Sequence, residues 1–226
     1  MASTKITRTL GTPTDNKKWT CSYWIKRANP GTDEYMFELN EDSSHYNSIN
    51  FNSDRIEFND NNGGYLGRKI TTRKFTDPGA WYHLVCVYDS DNVTADDRMM
   101  VYVNGVRETA FDTDTDPTSG AVSFNASGNT CNIGVHNTSS NYMNSDVSHL
   151  QFVDGAALAP TEFGETDSTS GIWKIKTTCY ATPGNNGFCM KFEDRTNLDL
   201  DSSSNAHTFT TTGTLTATYD NPSNNF

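Results

Sequence analysis

Short runs of strand-forming residues, each closed by a turn cluster, succeed one another from end to end, and no stretch is long enough for a helix that crosses between parallel strands. The segment Trp19-Thr20-Cys21-Ser22-Tyr23-Trp24-Ile25-Lys26 alternates, with Trp19, Cys21, Tyr23 and Ile25 on one face and Trp24 on the other. Asn29-Pro30-Gly31 ends it. Glu34 to Leu39, Ser48 to Phe51 and Arg55 to Phe58 follow, and Asn59-Asp60-Asn61-Asn62-Gly63-Gly64 reads as a turn or exposed loop. Trp81 to Tyr88 and Arg98 to Val103 are the strongest strands, and Asn104-Gly105 is a tight hairpin turn into Val106 to Phe111. Ala121 to Phe124, Cys131 to Val135, Val147 to Val153, Phe188 to Phe192 and His207 to Tyr219 complete the set. Residues 159–164, Ala-Pro-Thr-Glu-Phe-Gly, give at most one helical turn. The pattern predicts an all-β, two-sheet antiparallel jelly-roll sandwich forming one domain over residues 1–226. Residues 199–205 are polar enough to act as a mobile connection before a C-terminal strand.

Composition agrees. Aromatic residues at 12% supply core bulk, charged residues are only 20%, and much of the rest is Thr, Ser and Asn, which favour strands and turns over helices. A net charge of −11 with no basic cluster excludes nucleic acid as a partner. No apolar stretch approaches the roughly 20 residues of a membrane-spanning helix, so no membrane partner is expected. Met1-Ala2-Ser3-Thr4-Lys5 leads into polar residues rather than a signal-peptide core, which suggests synthesis in a cytoplasm. Cys21, Cys86, Cys131, Cys179 and Cys189 show no zinc or C-x-x-C spacing. Cys179 and Cys189 bracket a turn-rich stretch and could face each other across a hairpin, but five reduced thiols is the favoured reading.

Two motifs carry a family likeness. Trp81-Tyr82-His83-Leu84-Val85-Cys86-Val87-Tyr88-Asp89 followed by Val101-Tyr102-Val103-Asn104-Gly105 resembles the W-x-H-V-x-x-x-x-D and L-Y-V-N-G signature of laminin-G-like, concanavalin A-like lectin/glucanase sandwiches. Ile133-Gly134 and Asp146 to Phe152 look like a later segment of that fold. Marine, cyanophage-type bacteriophage virion proteins carrying this module are similar over more of the chain: Lys18 to Arg27, Asp77 to His83, Val153 to Leu158, Phe163 to Glu165, and the closing Asn221-Pro222-Ser223-Asn224-Asn225-Phe226. The resemblance implies a virion structural protein on the particle surface, made in the host cytoplasm. It would dock to viral capsid or tail proteins as a capsid decoration, knob or tail appendage, and by analogy with viral appendages as a homotrimer. A host surface glycan is the partner implied by the rival reading, a lectin-like receptor-binding module. A glycan-degrading enzyme ranks below both.

The residues of each reading can be named. The superfamily's glucanases carry E-x-D-x-x-E on one strand, which would set carboxyls about 5 Å apart for retaining hydrolysis. Neither Glu162 to Asp167 nor Glu193-Asp194-Arg195 fits, so no enzyme is expected. Asp112, Asp114 and Asp116 could gather around calcium, as some laminin-G-like domains do at a sandwich rim, though Pro117 and Ser123 break the EF-hand pattern and a solvated acidic loop is favoured. For carbohydrate, which needs a ring platform and amide or carboxylate partners, the candidates are Trp24, Tyr65, Asn141 and Tyr142. Trp81, His83, Asn104 and Gly105 read as structural, since no nucleophile lies beside His83. The remaining histidines have no metal-ligand spacing, and the Asn-x-Ser/Thr matches at Asn92, Asn125 and Asn137 read as chance.

Overall fold

Along Lys18–Arg27 the alternation read from the sequence becomes packing: Trp19, Cys21, Tyr23 and Ile25 are at most 1% exposed and lie in one apolar interior between two sheets. The computed structural model describes residues 3–222. In chain order the strands are β1 (Lys5–Thr9), β2 (Lys18–Arg27), β3 (Glu34–Asp42), β4 (His45–Asn52), β5 (Arg55–Asn62), β6 (Tyr65–Thr71), β7 (Tyr82–Asp89) and β8 (Met99–Val103). They continue as β9 (Val106–Arg107), β10 (Phe111–Thr115), β11 (Thr130–Ile133), β12 (Ser145–Asp154), β13 (Gly164–Thr166), β14 (Trp173–Ile175), β15 (Phe188–Met190) and β16 (Thr210–Thr212). One antiparallel sheet has eight strands in the order β10-β6-β5-β4-β3-β11-β1-β16, the other six in the order β15-β12-β2-β7-β8-β9, and β13-β14 form a separate hairpin.

Trp19 sits between the sheets, its ring 5.4 Å from Phe58, 5.6 Å from Tyr88, 5.9 Å from Phe152 and 6.2 Å from Phe37. Each such aromatic pair adds about 0.5–1.5 kcal/mol beyond simple burial, so one ring clamps strands of both sheets. Two hairpins use paired left-handed residues, the geometry whose twist matches the flanking strands. Asn104 and Gly105 (φ 49° and 79°) join β8 to β9 as expected, and Ser53 and Asp54 (φ 49° and 69°) join β4 to β5. Gly105 has a second constraint: a Cβ there would come within 2.6 Å of the Trp173 ring.

Several expectations need correction. The Asn59 to Asn62 stretch is the end of β5, held as strand by pairing with His45 to Ser48 on one side and with β6 on the other. Ala121 to Phe124 forms no strand, and only Thr210–Thr212 of the expected His207 to Tyr219 strand pairs with β1. Val106 to Phe111 breaks in two, and the acidic stretch beyond it is β10, the edge strand of the larger sheet. Its charges suit an edge, where they discourage pairing with another chain. Cys179 and Cys189 are joined in a disulfide, against the reading of five reduced thiols, while Cys21, Cys86 and Cys131 are free and buried. Within 199–205, buried Asp201 accepts hydrogen bonds from the backbone N–H groups of Cys189, Ser203 and His207, which ties this connection to β15. The one turn near 159–164 is a 3-10 turn over Pro160–Glu162. Of the closing motif, residues 223–226 lie outside the described residues.

Segment 155–182 crosses the outer face of the six-stranded sheet. There Val85, Val87, Val153 and Phe163 form a second apolar cluster, with Tyr102, Leu158 and Tyr180 packed against it. The disulfide fastens the end of this cover to β15.

Candidate functional site: the polar face of the eight-stranded sheet

Alternation on β4 and β5 sends Ile49, Phe51, Ile56 and Phe58 into the core, so Ser48, Asn50, Asn52, Glu57 and Asn59 must point outward. Glu38 of β3 lies opposite Ser48, and Asn132 of β11 lies opposite Glu38. These outward groups form two hydrogen-bonded sets, one joining β11 to β3 and one joining β4, β5 and β6. Asn132 Nδ2 donates to Glu38 Oε1 (3.2 Å) and Asn40 Oδ1 (2.7 Å). Asn59 Nδ2 donates to Ser48 Oγ (3.2 Å), Ser48 Oγ to Asn50 Oδ1 (3.3 Å), and Asn50 Nδ2 to Glu57 Oε2 (3.3 Å). Asn52 Nδ2 (2.7 Å) and Arg68 Nε (2.7 Å) complete the shell of Glu57.

Rings and one guanidinium stand beside these networks. Tyr35 and Tyr46 meet His136 edge-on, at 4.4 and 5.4 Å between centroids. The Arg68 guanidinium lies 4.3 Å over the ring of Tyr65, which is 45% exposed. Close packing leaves Glu38 and Ser48 without exposure. Burial pushes the Glu38 carboxyl up to about 8, against the hydrogen bonds from Asn132 and the Asn137 N–H. Burial also pushes His136 down, so near pH 7 a neutral acid faces a neutral imidazole, with 3.8 Å between Glu38 Oε2 and Nε2. Glu38 Oε2, which bears the acid proton because Oε1 accepts from Asn132 and Asn137, and Asn59 Oδ1 are buried without a hydrogen-bond partner.

The two carboxyls of this arrangement are not set as a facing pair. Glu38 and Glu57 stand two strands apart, with backbones about 10 Å from each other, and Glu57 is committed to two amides and an arginine. On the other sheet His83 Nδ1 accepts from Trp173 Nε1–H (2.9 Å), so its Nε2–H must point at Ser22 Oγ, 2.9 Å away. The ring has no lone pair for the Ser22 proton, and burial holds its pKa down to about 3. Ser22 and His83 are therefore a structural pair.

The residues proposed from sequence are scattered. Tyr65 stands beside the polar networks. Asn141 and Tyr142 line a cavity at one end of the sandwich, where the Asn141 carbonyl accepts from the Tyr35 N–H (3.0 Å). Trp24 is no platform: it is 4% exposed and stacks on His83 at 4.9 Å, with Trp173 stacked on the same imidazole at 5.9 Å. Asp112 pairs with Arg55 (2.6 Å) and accepts from Thr72 Oγ1 (2.9 Å), while Asp114 and Asp116 both pair with Lys69. Cationic side chains thus occupy the place the calcium reading reserved for the ion, and among the described residues no three His, Cys, Asp or Glu are grouped to hold a metal. Trp81 donates to Asp220 (3.2 Å), and Asn104 Oδ1 accepts from the His83 N–H (2.8 Å). The sequence alone did not single out Glu38, Ser48, Asn50, Glu57 or Asn132. Their signal was present as a polar residue at every second position between Ile and Phe, a pattern that ordinary solvated strands share.

The fold and this surface can be compared with known proteins. The profile described as the concanavalin A-like lectin/glucanases superfamily matches residues 3–162. No curated protein matches the chain. A heptameric SAP-like pentraxin from Limulus polyphemus is similar at 20% identity and TM-score 0.50, over 69% of this chain and 71% of the pentraxin. A candidate carbohydrate binding protein from Bacteroides ovatus is similar at 11% identity and TM-score 0.55, over 85% of this chain. Domains LG4-5 of the mouse laminin α1 chain are similar at 10% identity and TM-score 0.50, over 68% of this chain. The matches span 50% of the Bacteroides protein and 39% of the laminin fragment, and at such identities they speak for the fold alone.

Proposed function

Since the chain belongs to the concanavalin A-like lectin/glucanase superfamily, we propose that it is a non-catalytic glycan-binding module that holds a polysaccharide against the outer face of its eight-stranded sheet. The observation that carries this reading is the pair of amide–carboxylate networks side by side on this face, Asn132 with Glu38 and Asn40, and Asn59 through Glu57 to Arg68, with tyrosine rings beside them. Sugar rings offer apolar C–H faces to aromatic rings and hydroxyls to side-chain amides and carboxylates. The networks fix their own side chains before any ligand arrives, which lowers the ordering cost of binding. The groups of this face that a ligand can reach include the ring of Tyr65 and the partly exposed Asn52 and Arg68. The description of the Bacteroides protein as carbohydrate binding lends support. A net charge of −11 favours an uncharged glycan over an anionic one.

The likeness of Lys18 to Arg27 and Asp77 to His83 to phage virion proteins supports placing the module on the outside of a phage particle, docked to capsid or tail protein as a homotrimer, where the glycan would be a host surface polysaccharide. Binding of neutral host polysaccharides, measured by calorimetry on the wild type and on Tyr65→Ala/Asn52→Ala, tests the sheet-face reading. Saturable binding weakened at least tenfold in the variant is expected, and unchanged binding overturns it. Particles lacking the chain should stay intact and fail to attach. Fragile particles that still adsorb would make it a structural decoration instead.

A further inference from the structure

A cavity of about 1120 Å³ opens at the end of the sandwich where β1, β3, β11 and β12 meet the C-terminal segment. Met143, Val147, Phe192 and Leu215 line it and pack against the main core, so part of its wall is apolar. The polar wall is rich in acceptors. Asp33, Glu34, Asp146, Glu193 and Asp220 line the cavity against Lys5, Lys191 and Arg195. Two of those cations are already engaged: Arg195 donates to the Thr218 carbonyl and lies 4.1 Å over Tyr219, and Lys191 stands 4.0 Å from Glu193. Asp220 is held by Lys26 and Trp81. The half-buried side chain of Asp146 has no hydrogen bond or ion pair among the described residues, and burial with the nearby Asp220 charge pushes its carboxyl up against the opposing pull of Lys26 across the strand pair.

His149 is the second, independent observation. It sits where β12 bulges, in the left-handed region (φ 49°), 8% exposed and on the cavity wall. Its Nδ1 is 2.8 Å from Ser148 Oγ, while its Nε2 is buried without a hydrogen-bond partner and lies 3.6 Å from Glu193 Oε1. Burial pushes its pKa down, so the ring is neutral near pH 7. Ser148 Oγ can accept from Nδ1–H or donate to Nδ1, and an incoming donor selects the first tautomer, in which Nε2 is one more acceptor.

We propose that this cavity is a binding site for a small primary ammonium carried on an apolar body, with the body on Met143, Val147, Phe192 and Leu215 and the ammonium N–H groups directed to Asp146, Glu193 and His149 Nε2. An ammonium supplies three donors and the charge that the carboxylates lack, whereas an anionic head would meet like charge in a partly dehydrated space. The site is separate from the sheet face and stands or falls without the glycan reading.

The probes are n-hexylamine, 1-hexanol and hexanoate, titrated at pH 7 into the whole chain and followed by two-dimensional NMR. Saturable shifts at 143–149 and 192–193 with hexylamine, at least tenfold weaker binding of hexanol and none of hexanoate, are the expected result. Asp146→Asn should weaken hexylamine at least fivefold with an unchanged melting curve, since no partner is lost. Met143→Trp, which fills the apolar wall, should abolish binding, and Tyr65→Ala should leave it alone. Hexanoate binding as well as hexylamine, hexylamine affinity indifferent to Asp146→Asn, or absence of saturation would each overturn the proposal.

Discussion

On β7 the outward residues His83, Val85 and Val87 lie beneath Trp173, Phe163 and Tyr180, while on β4 the outward residues Ser48, Asn50 and Asn52 hydrogen-bond among themselves and to β5. Both strands face the same core, through Leu84 and Cys86 on one side and Ile49 and Phe51 on the other. The difference lies in the second face. An apolar outer face needs a cover, and the chain spends segment 155–182 and a disulfide on supplying it. A polar outer face bonds most of its groups to one another and needs no cover. On the proposed reading, structure and function are divided between the two sheets.

Variants can test that division. The largest effect is expected at the cover: Phe163→Ala, which empties a site 2% exposed, should cost about 3–5 kcal/mol in denaturant unfolding without weakening glycan binding by the remaining folded protein. Next, replacing Cys179 and Cys189 by Ser removes a cross-link between residues 10 apart and should cost about 2–3 kcal/mol, again without a binding defect. A binding loss in either case would show that the two faces are coupled.

The two faces should also respond to pH with opposite sign. Glu38, at about 8 when folded against 4.5 ordinarily, binds its proton more tightly in the folded state. Its contribution is full below pH 4.5 and is lost as pH rises toward 8. Glu38→Gln should therefore match the wild type near pH 4 and exceed it above pH 8, on the order of 2 kcal/mol in unfolding free energy. His83, at about 3 against 6.5, contributes above pH 6.5 and loses that contribution as pH falls toward 3. Stability curves of Glu38→Gln and His83→Gln measured from pH 3 to 9 check both signs, and equal slopes in variant and wild type would remove either group from the account. The smallest effect is at the surface: Tyr65→Ala should weaken glycan binding about tenfold, about 1.4 kcal/mol, with stability changed by less than about 0.5 kcal/mol.

Much of the sandwich was legible because its central strands alternate strictly. Trp19 to Ile25 and Trp81 to Tyr88 could be read at once, and Asn104-Gly105 announced its turn. What escaped was decided by distant partners. The acidic run from Asp112 is strand rather than loop because Arg55 and Lys69, far away in sequence, answer its charge. Trp24 and Trp173 both stack on His83, contacts between residues far apart in sequence, so Trp24 could look like a surface ring. The polar networks were hidden in plain composition, since Asn, Ser and Glu signal loops as readily as an outward-facing layer bonded largely to itself.

Backbone amide hydrogen exchange with and without a saturating neutral host polysaccharide tests the division of faces most directly. Added protection on β3, β4, β5 and β6, with 155–182 and β7 unchanged, is the predicted result. Protection confined to 155–182, or none on the eight-stranded sheet, would contradict it.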